Sequence, residues 1–422
     1  MDHHYTPSQI AAIILSWIDL ELVSCTTIQG LWAGYGHICA ISARPTANCE
    51  SKRWQSFSSA QSDGQGSIIH LVLKIVHPPT KAGDEGHFRK MFSYEVEQYF
   101  YDEVAPRLTG DIAVAQCFAS TRRMQKQAAE HGIDHVIATL MEDLRLEYPI
   151  SGEKRAMLSS QQVYAALTWL AKFHRSSWAY KPQDLRHFLL PPLEEALRRQ
   201  KDSSTGGKAL WLNGGYTYLA TRRQEYQMLA QDKSSEWSGA FCTTVDGELS
   251  LAEQVADFLT PRGRPFETYI HGDVKSENLF STQSGNDVVF FDFQYVGIGL
   301  GVCDLAKLFT CSIPMNMLTN HQPIPAEMEM DEREKRLLSH YWRILSDGQH
   351  DRKIPLYEWN DFLRHWETAL VDWCRFQASW GFWGNTEWLE ARVRYIIKDN
   401  AWRAWLASEV GTDSVVGSRQ EE

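Results

Sequence analysis

The chain has no surplus of positive charge: 42 Lys and Arg stand against 53 Asp and Glu, giving a net charge of −11. Nucleic acid and anionic membrane both reward basic surfaces, so neither is expected as the main partner. The eight cysteines contain no C-x-x-C and no dense spacing. That excludes a disulfide-built scaffold and points to reduced thiols and a cytoplasmic location. An apolar run of membrane-spanning length is also lacking. Ile10 to Ile18 is far too short, and with neither a basic start nor a small-residue cleavage site it reads as an amphipathic helix begun at Thr6-Pro7. No internal repeat is evident. A chain of 422 residues is long enough for a large core and more than one domain.

What is present is concentrated in one string, YIHGDVKSENLF from Tyr269 to Phe280, followed after a turn by VVFFDFQ. It places Asp273, Asn278 and Asp292 where phosphoryl transfer needs them. That reaction requires a group to accept or orient the attacking hydroxyl's proton, and oxygen ligands for a Mg²⁺ that bridges phosphates. Asp273 suits the first role, Asn278 and Asp292 the second, because magnesium prefers hard oxygen donors and keeps several waters. Thr268 to Ile270 reads as a strand entering the loop, Asn278 to Ser281 as a strand leaving it, and Gln283 to Asp287 as a turn before the apolar run Val288 to Phe291. Such a hairpin would return Asp292 to the side of Asn278.

These segments resemble the catalytic and metal-binding loops of the aminoglycoside phosphotransferase and choline kinase-like families, which share the protein-kinase fold. The match is nearest the ecdysteroid-kinase-like (CHK-like) branch, with His-Gly-Asp for His-Arg-Asp and Asp-Phe-Gln for Asp-Phe-Gly, and it covers about Leu31 to Asn400. The resemblance implies an α+β, bilobal fold: a small antiparallel-sheet lobe over residues 1–140, a linker at 141–145 and a helical lobe over 146–410; the polar stretch 411–422 reads as a disordered tail. It makes Asp273 the catalytic Asp, sets Lys275 against the transferring phosphate, and has His271 brace the loop. Asp304, in DLAKLF shortly after DFQ, would brace the catalytic loop through hydrogen bonds; a simple helix N-cap is the other reading. Between Asp292 and Asp304 there is no long activation segment ending in Ala-Pro-Glu, so a peptide-docking platform is disfavoured and a small-molecule acceptor favoured.

Upstream, Ile68 to Val76 (IIHLVLKIV) is a β-branched run interrupted by Lys74. A buried ammonium calls for anionic partners, here ATP phosphates and a helix carboxylate. Phe88 to Leu108 carries Phe92, Val96, Tyr99, Phe100 and Val104 at helical spacing. The family pattern selects Glu97 to hold Lys74, with Glu95 the alternative. Gly34 and Gly36, in LWAGYGHI before that strand, suit a hairpin covering phosphates. Arg44 to Ser67 reads as a polar insertion. Ile112 to Phe118 and His135 to Leu140 read as further strands, and Met141, Glu142 and Leu144 (MEDL) resemble the linker whose backbone would pair with adenine. Gln161 to Arg175 and Ala252 to Leu259 are amphipathic helices, with His174 a packing residue of the first.

Nine of the sixteen Trp lie between Trp342 and Trp405. Trp359, Trp366, Trp373 and Trp380 recur every seven residues, with Phe362, Ala369, Phe376 and Trp383 between, which predicts one continuous apolar helix stripe serving as a core seam. By the resemblance these helices also wall the acceptor site. Aromatic lining suits a sterol-like alcohol or a cationic head group, while Glu358, Asp361, Glu367 and Asp372 suit an amino substrate. The expectation is therefore a phosphotransferase using ATP and Mg²⁺ on a small alcohol, without membrane insertion. A catalytically silent nucleotide-binding scaffold and a protein kinase are the alternatives.

Overall fold

The computed structural model describes residues 5–31, 34–47, 54, 58–59, 68–77, 83–178, 184–201, 209–244, 248–347 and 356–417. The chain forms two compact units. The first is Met1–Leu108, Val114–Glu147 and Ala196–Ala209; the second is Thr109–Ala113, Tyr148–Glu195 and Leu210–Glu422. Helices and antiparallel sheet are combined as the α+β expectation has it, and the units are not contiguous in sequence: the first takes in 196–209 and gives up 109–113.

In the first unit, helix α1 (Pro7–Ser16) starts at a capping box in which Thr6 and Gln9 satisfy each other's backbone, with Pro at the first turn. Its apolar face, Ile10, Ala11, Ile14 and Leu15, is fully buried, each large side chain contributing about 1.5–3 kcal/mol. Strands β1 (Leu20–Gly30), β2 (Gly36–Pro45), β3 (Ser58–Ser59) and β4 (Ile68–Val76) follow, then α2 (Glu85–Tyr99). The helical path continues beyond α2 through a wider π turn, Phe100–Val104, and a tight 3₁₀ turn, Ala105–Arg107. Pro106, which has no N–H to donate, sits in the first turn of that 3₁₀ segment, and the path ends where Leu108 turns extended. Strand β5 (Cys117–Ser120), helix α3 (Gln125–Glu130) and strand β6 (Ile137–Glu142) complete an antiparallel sheet of order β1-β2-β4-β6-β5, with β3 beside the start of β4. Most of the 44–67 insertion lies outside the described residues. Trp54, within it, is buried in the core with its ring centroid 5.0 Å from that of Phe118.

The strand expected over Ile112 to Phe118 is corrected: only Cys117–Ser120 pairs. Upstream of it the Ala113 carbonyl accepts from the Trp169 indole at 2.8 Å, in the second unit, so this backbone serves a helix side chain rather than a ladder.

The second unit is built on helices. Strand β7 (Ile150–Ser151) and helices α4 (Ser160–Ser177), α5 (Pro192–Lys201, whose end belongs to the first unit), α6 (Arg223–Gln231), α7 (Glu236–Cys242) and α8 (Leu251–Leu259) lead into β8 (Glu267–Ile270). Then come β9 (Leu279–Ser281), β10 (Val288–Phe290), β11 (Gly297–Leu300), α9 (Val302–Cys311), α10 (Glu332–Ser346), α11 (Trp359–Trp380), α12 (Thr386–Ile396) and α13 (Asn400–Gly417). Two small antiparallel sheets, β10-β9-β7 and β11-β8, hold the loops between them. The last helix passes the expected boundary at 410 and runs to Gly417; once nucleated, a helix gains one bond for each further residue fixed. The tryptophan stripe is a core seam from Phe362 to Phe376, but α11 ends at Trp380, which is 57% exposed, and Trp383 lies past the bend at Gly381. The stripe is therefore shorter than its heptad spacing suggests. No helix among the described residues is long and apolar enough to cross a membrane.

Candidate active site

Strand β8 ends at Ile270, and the loop that follows it is held by one buried carboxylate. Asp304, near the start of α9, accepts from the backbone N–H of His271 at 2.7 Å and of Gly272 at 2.9 Å, while His174 Nε2 lies 3.2 Å away. Gly301, not Asp304, is the N-cap of that helix. Burial alone would raise the Asp304 carboxyl, but the His174 hydrogen bond and the charge of Lys307 hold it below its ordinary value. His174 is a packing residue of α4 that also donates or accepts at Tyr341, 2.7 Å distant.

Gly272 sits at φ +82°, and a Cβ there would stand 2.3 Å from the Tyr295 carbonyl oxygen and 2.6 Å from the Gly215 nitrogen. No larger residue fits, which accounts for glycine between His271 and Asp273. His271 is enclosed. Its Nδ1 accepts from the Asp273 N–H at 3.3 Å and its Nε2–H donates to the Phe291 carbonyl at 2.9 Å, the pattern of a neutral imidazole. Burial lowers its pKa against the pull of Asp304 and Asp273. It joins the start of this loop to the end of β10.

Asp273 is 7% exposed. Asn278 Nδ2 donates both to the Asp273 carbonyl at 2.8 Å and to Oδ2 at 3.0 Å, and Lys275 Nζ lies 3.1 Å from the same Oδ2. Two oxygens facing one amide nitrogen fix the orientation of Asn278, so its carbonyl oxygen is the atom left to act as a ligand. Lys275 also pairs with Glu277 at 2.9 Å. Burial opposes its charge, yet Asp273 and Glu277 raise its pKa above the usual lysine value, so it is a fixed cation.

The hairpin of β9 and β10 pairs Phe290 with Leu279, and the Phe291 N–H donates to the Asn278 carbonyl at 3.0 Å. Asp292 follows immediately in the left-handed region, φ 65° and ψ 58°. A non-glycine residue there is strained by about 1–3 kcal/mol and persists only where its surroundings impose it. A carboxylate and an amide oxygen are thus neighbours along one hairpin, hard donors suited to Mg²⁺. Among the described residues no group of three or more His, Cys, Asp and Glu could hold a metal ion.

In the first unit, Lys74 of β4 is 8% exposed and its Nζ lies 2.5 Å from Glu97 Oε2 on α2. Glu95 belongs to another pair, with Arg199 at 2.9 Å. Removing one partner of a buried ion pair strands the other charge, so Glu97→Ala should lower stability by roughly 3 kcal/mol in urea unfolding. The double variant Lys74→Met/Glu97→Leu should regain most of that.

Gly34 has φ +72°, and the Leu31 N–H donates to the Gly36 carbonyl at 2.8 Å, closing the β1–β2 turn; Trp32 and Ala33 lie outside the described residues. A Cβ at Gly36 would stand 1.9 Å from the Ile75 carbonyl, so glycine lets β2 meet β4 beside Lys74. Met141 and Glu142 are the last residues of β6, and Leu144 opens a 3₁₀ turn. Here the expectation for the linker narrows: the Glu142 N–H already donates to the Gln116 carbonyl at 2.9 Å, and its side chain accepts from the Gln116 N–H. That amide is used within the protein.

Sequence reading passed over Lys307 and Tyr216. Lys307 is 5% exposed, donates to the Gly272 carbonyl, and lies 5.3 Å from the Tyr216 ring centroid and 5.8 Å from that of Trp373. Its signal was a lysine three positions after Asp304 in an otherwise apolar helix. Arg222 likewise covers Tyr216, Phe376 and Trp380 at 4.7–5.6 Å. Of the four acids expected to meet an amino substrate, Glu367 pairs with Arg364 and Asp372 with Arg375, whereas Glu358 and Asp361 are exposed.

Residues 52–324 match the model of the ecdysteroid kinase-like family. No curated protein matches the chain. Among solved structures, an ethanolamine kinase of Plasmodium vivax is similar at 12% identity over 92% of this chain and 84% of its own, with a TM-score of 0.39. A macrolide 2′-phosphotransferase of Brachybacterium faecium is similar at 11% identity over 96% of this chain and 97% of its own, TM-score 0.40. A choline kinase of Streptococcus pneumoniae gives 12%, 92%, 94% and 0.36 for the same quantities.

Proposed function

The chain belongs to the ecdysteroid kinase-like family, and on that premise we propose that it transfers the γ-phosphate of ATP to a hydroxyl of a small organic molecule. The observation that carries this reading is the convergence on Asp273. Two donors, Asn278 Nδ2 and Lys275 Nζ, both engage Oδ2, which leaves Oδ1 to take or orient the acceptor's proton. Lys275 neutralises charge on the transferring phosphoryl group, and Lys74, steadied by Glu97, binds the α- and β-phosphates. The Gly34–Gly36 turn contributes backbone N–H groups, and the remaining backbone of Met141 to Leu144 serves adenine. Asn278 Oδ1 and the Asp292 carboxylate would hold Mg²⁺, which supplies charge neutralisation between the phosphates.

The acceptor side is aromatic, but its ring faces are already occupied. Lys307 and Arg222 lie over Tyr216, Trp373, Phe376 and Trp380, and the less exposed nearby acids have Arg partners. A second cation, such as a quaternary amine or an aminoglycoside, would meet like charge, so an uncharged, largely apolar alcohol is the better acceptor.

The test is thermal stability with Mg·ATP, in wild type and Asp292→Ala. A ligand at a hundred times its Kd stabilises the folded state by about 2.7 kcal/mol. The expected result is a rise in Tm that requires magnesium and disappears in the variant, followed by phosphate transfer in a panel of alcohols. Absence of any rise in the wild type at saturating nucleotide would leave a kinase-shaped scaffold as the reading.

A further inference from the structure

The second unit contains a cavity of about 250 Å³ bounded by α8, α9, α11 and the segment before α6. This is smaller than the roughly 300–1,000 Å³ typical of drug-sized ligands. Asp273 does not line it; Lys307 does, along with apolar walls from Leu219, Leu259, Ile270, Ala369 and Trp373.

The charges around this space are unevenly satisfied. Its three acids each have an arginine: Glu253 has Arg223 at 3.7 Å, Asp372 has Arg375 at 2.7 Å, and Asp257 has Arg262. Cys303, also in the wall, stays a neutral thiol, since burial first and Asp372 second push it up to about 12. Lys307 differs. Among the described residues no carboxylate oxygen lies within 4.0 Å of its ammonium, which is 95% buried by the complement of its 5% exposure. A carbonyl uses one of its three N–H donors and aromatic faces cover part of the rest. A desolvated cation with no carboxylate partner among the described residues, lining a small chamber whose acids are already paired with arginines, is a receptor for an anionic oxygen.

We propose that this cavity binds a small organic monocarboxylate, its carboxylate on Lys307 and its short apolar chain among Leu219, Leu259 and Ala369, at a site that Asp273 does not line. Lys307 also donates to the Gly272 carbonyl, one residue before Asp273, so an anion on Lys307 is linked to the catalytic loop through that hydrogen bond.

The probe is hexanoate, titrated calorimetrically into the full chain without nucleotide, so the outcome does not depend on phosphotransfer. Hexanamide and hexylamine, of equal length, are the controls. A hydrogen bond to a charged group predicts that hexanoate binds at least about tenfold more tightly than hexanamide, with hexylamine weakest. Lys307→Met should abolish this preference. Because that variant removes a buried anchor, Ala256→Leu supplies the independent test: on the half-buried face of α8 that lines the cavity, it fills the space and should weaken hexanoate without touching Lys307. Equal binding of hexanoate and hexanamide, no binding of hexanoate at millimolar concentration, or undiminished binding in Ala256→Leu would each overturn the proposal.

Discussion

Asp273→Asn is expected to reduce phosphate transfer by about 10²–10⁴-fold, the usual contribution of a positioned general base, with little change in nucleotide-induced stabilisation. The substitution keeps the shape of the side chain and an oxygen for Asn278 and Lys275 to donate to. What it removes is the carboxylate proposed to take the proton. The measurement is a single-turnover rate with the best acceptor from the panel, beside the Mg·ATP thermal shift of the same preparation. Loss of transfer with an intact shift assigns Asp273 to chemistry. An undiminished rate would remove it from that role, and with it the central element of the proposed mechanism.

The second large effect concerns stability. Asp304 is fully buried and receives two backbone N–H groups besides its contact with His174. Asp304→Ala leaves those donors buried without an acceptor, and each such group costs about 1–3 kcal/mol. The expected loss is about 3–5 kcal/mol, a large part of the 5–15 kcal/mol that holds an ordinary domain together. Asp304→Asn retains one acceptor oxygen and should fall between. Because the native carboxyl titrates below its ordinary value of 3.8, the ionised form contributes stability that is fully present above that value. It is lost as pH falls through the native pKa. The gap between wild type and Asp304→Asn should therefore be constant above about pH 5 and narrow below it, read from urea midpoints at each pH. A gap that widens toward acid would contradict the sign.

The two variants separate duties that lie close together in the chain. Asp273 is the residue proposed to act on the acceptor, whereas Asp304 and His271 act on the loop itself, binding its backbone from α9 and from the end of β10. Lys307 adds a third hold at the Gly272 carbonyl. The loop has few backbone groups left to move, which suits a reaction whose catalysis is mostly positioning.

Much of this arrangement could be read from the chain because its signals are local. The strand, loop and hairpin from Thr268 to Phe291 announced themselves by apolar runs and a polar turn, and the structure places β8, β9 and β10 there. Lys74 stood out as a charge inside a β-branched run, and Thr6-Pro7 marked the start of the first helix. Local patterns failed where backbone partners come from afar. The strand expected at Ile112 has its Ala113 carbonyl taken by Trp169, and the heptad spacing of tryptophans continued past the point where Gly381 ends the helix.

The sequence by itself determined the residue types available for phosphoryl transfer, their order, and the strands and helices that carry them, because these follow from spacing along one chain at periods of 2 and 3.6. Only the tertiary structure decided that Glu97 rather than Glu95 meets Lys74, since helix phase cannot be fixed to one residue from a pattern while burial against β4 fixes it. It alone brought Asp304 to the backbone of His271 and Gly272, set Lys307 beneath the loop, and left a chamber beside it. Those contacts join residues more than thirty positions apart, and at that separation packing, not periodicity, selects the partner.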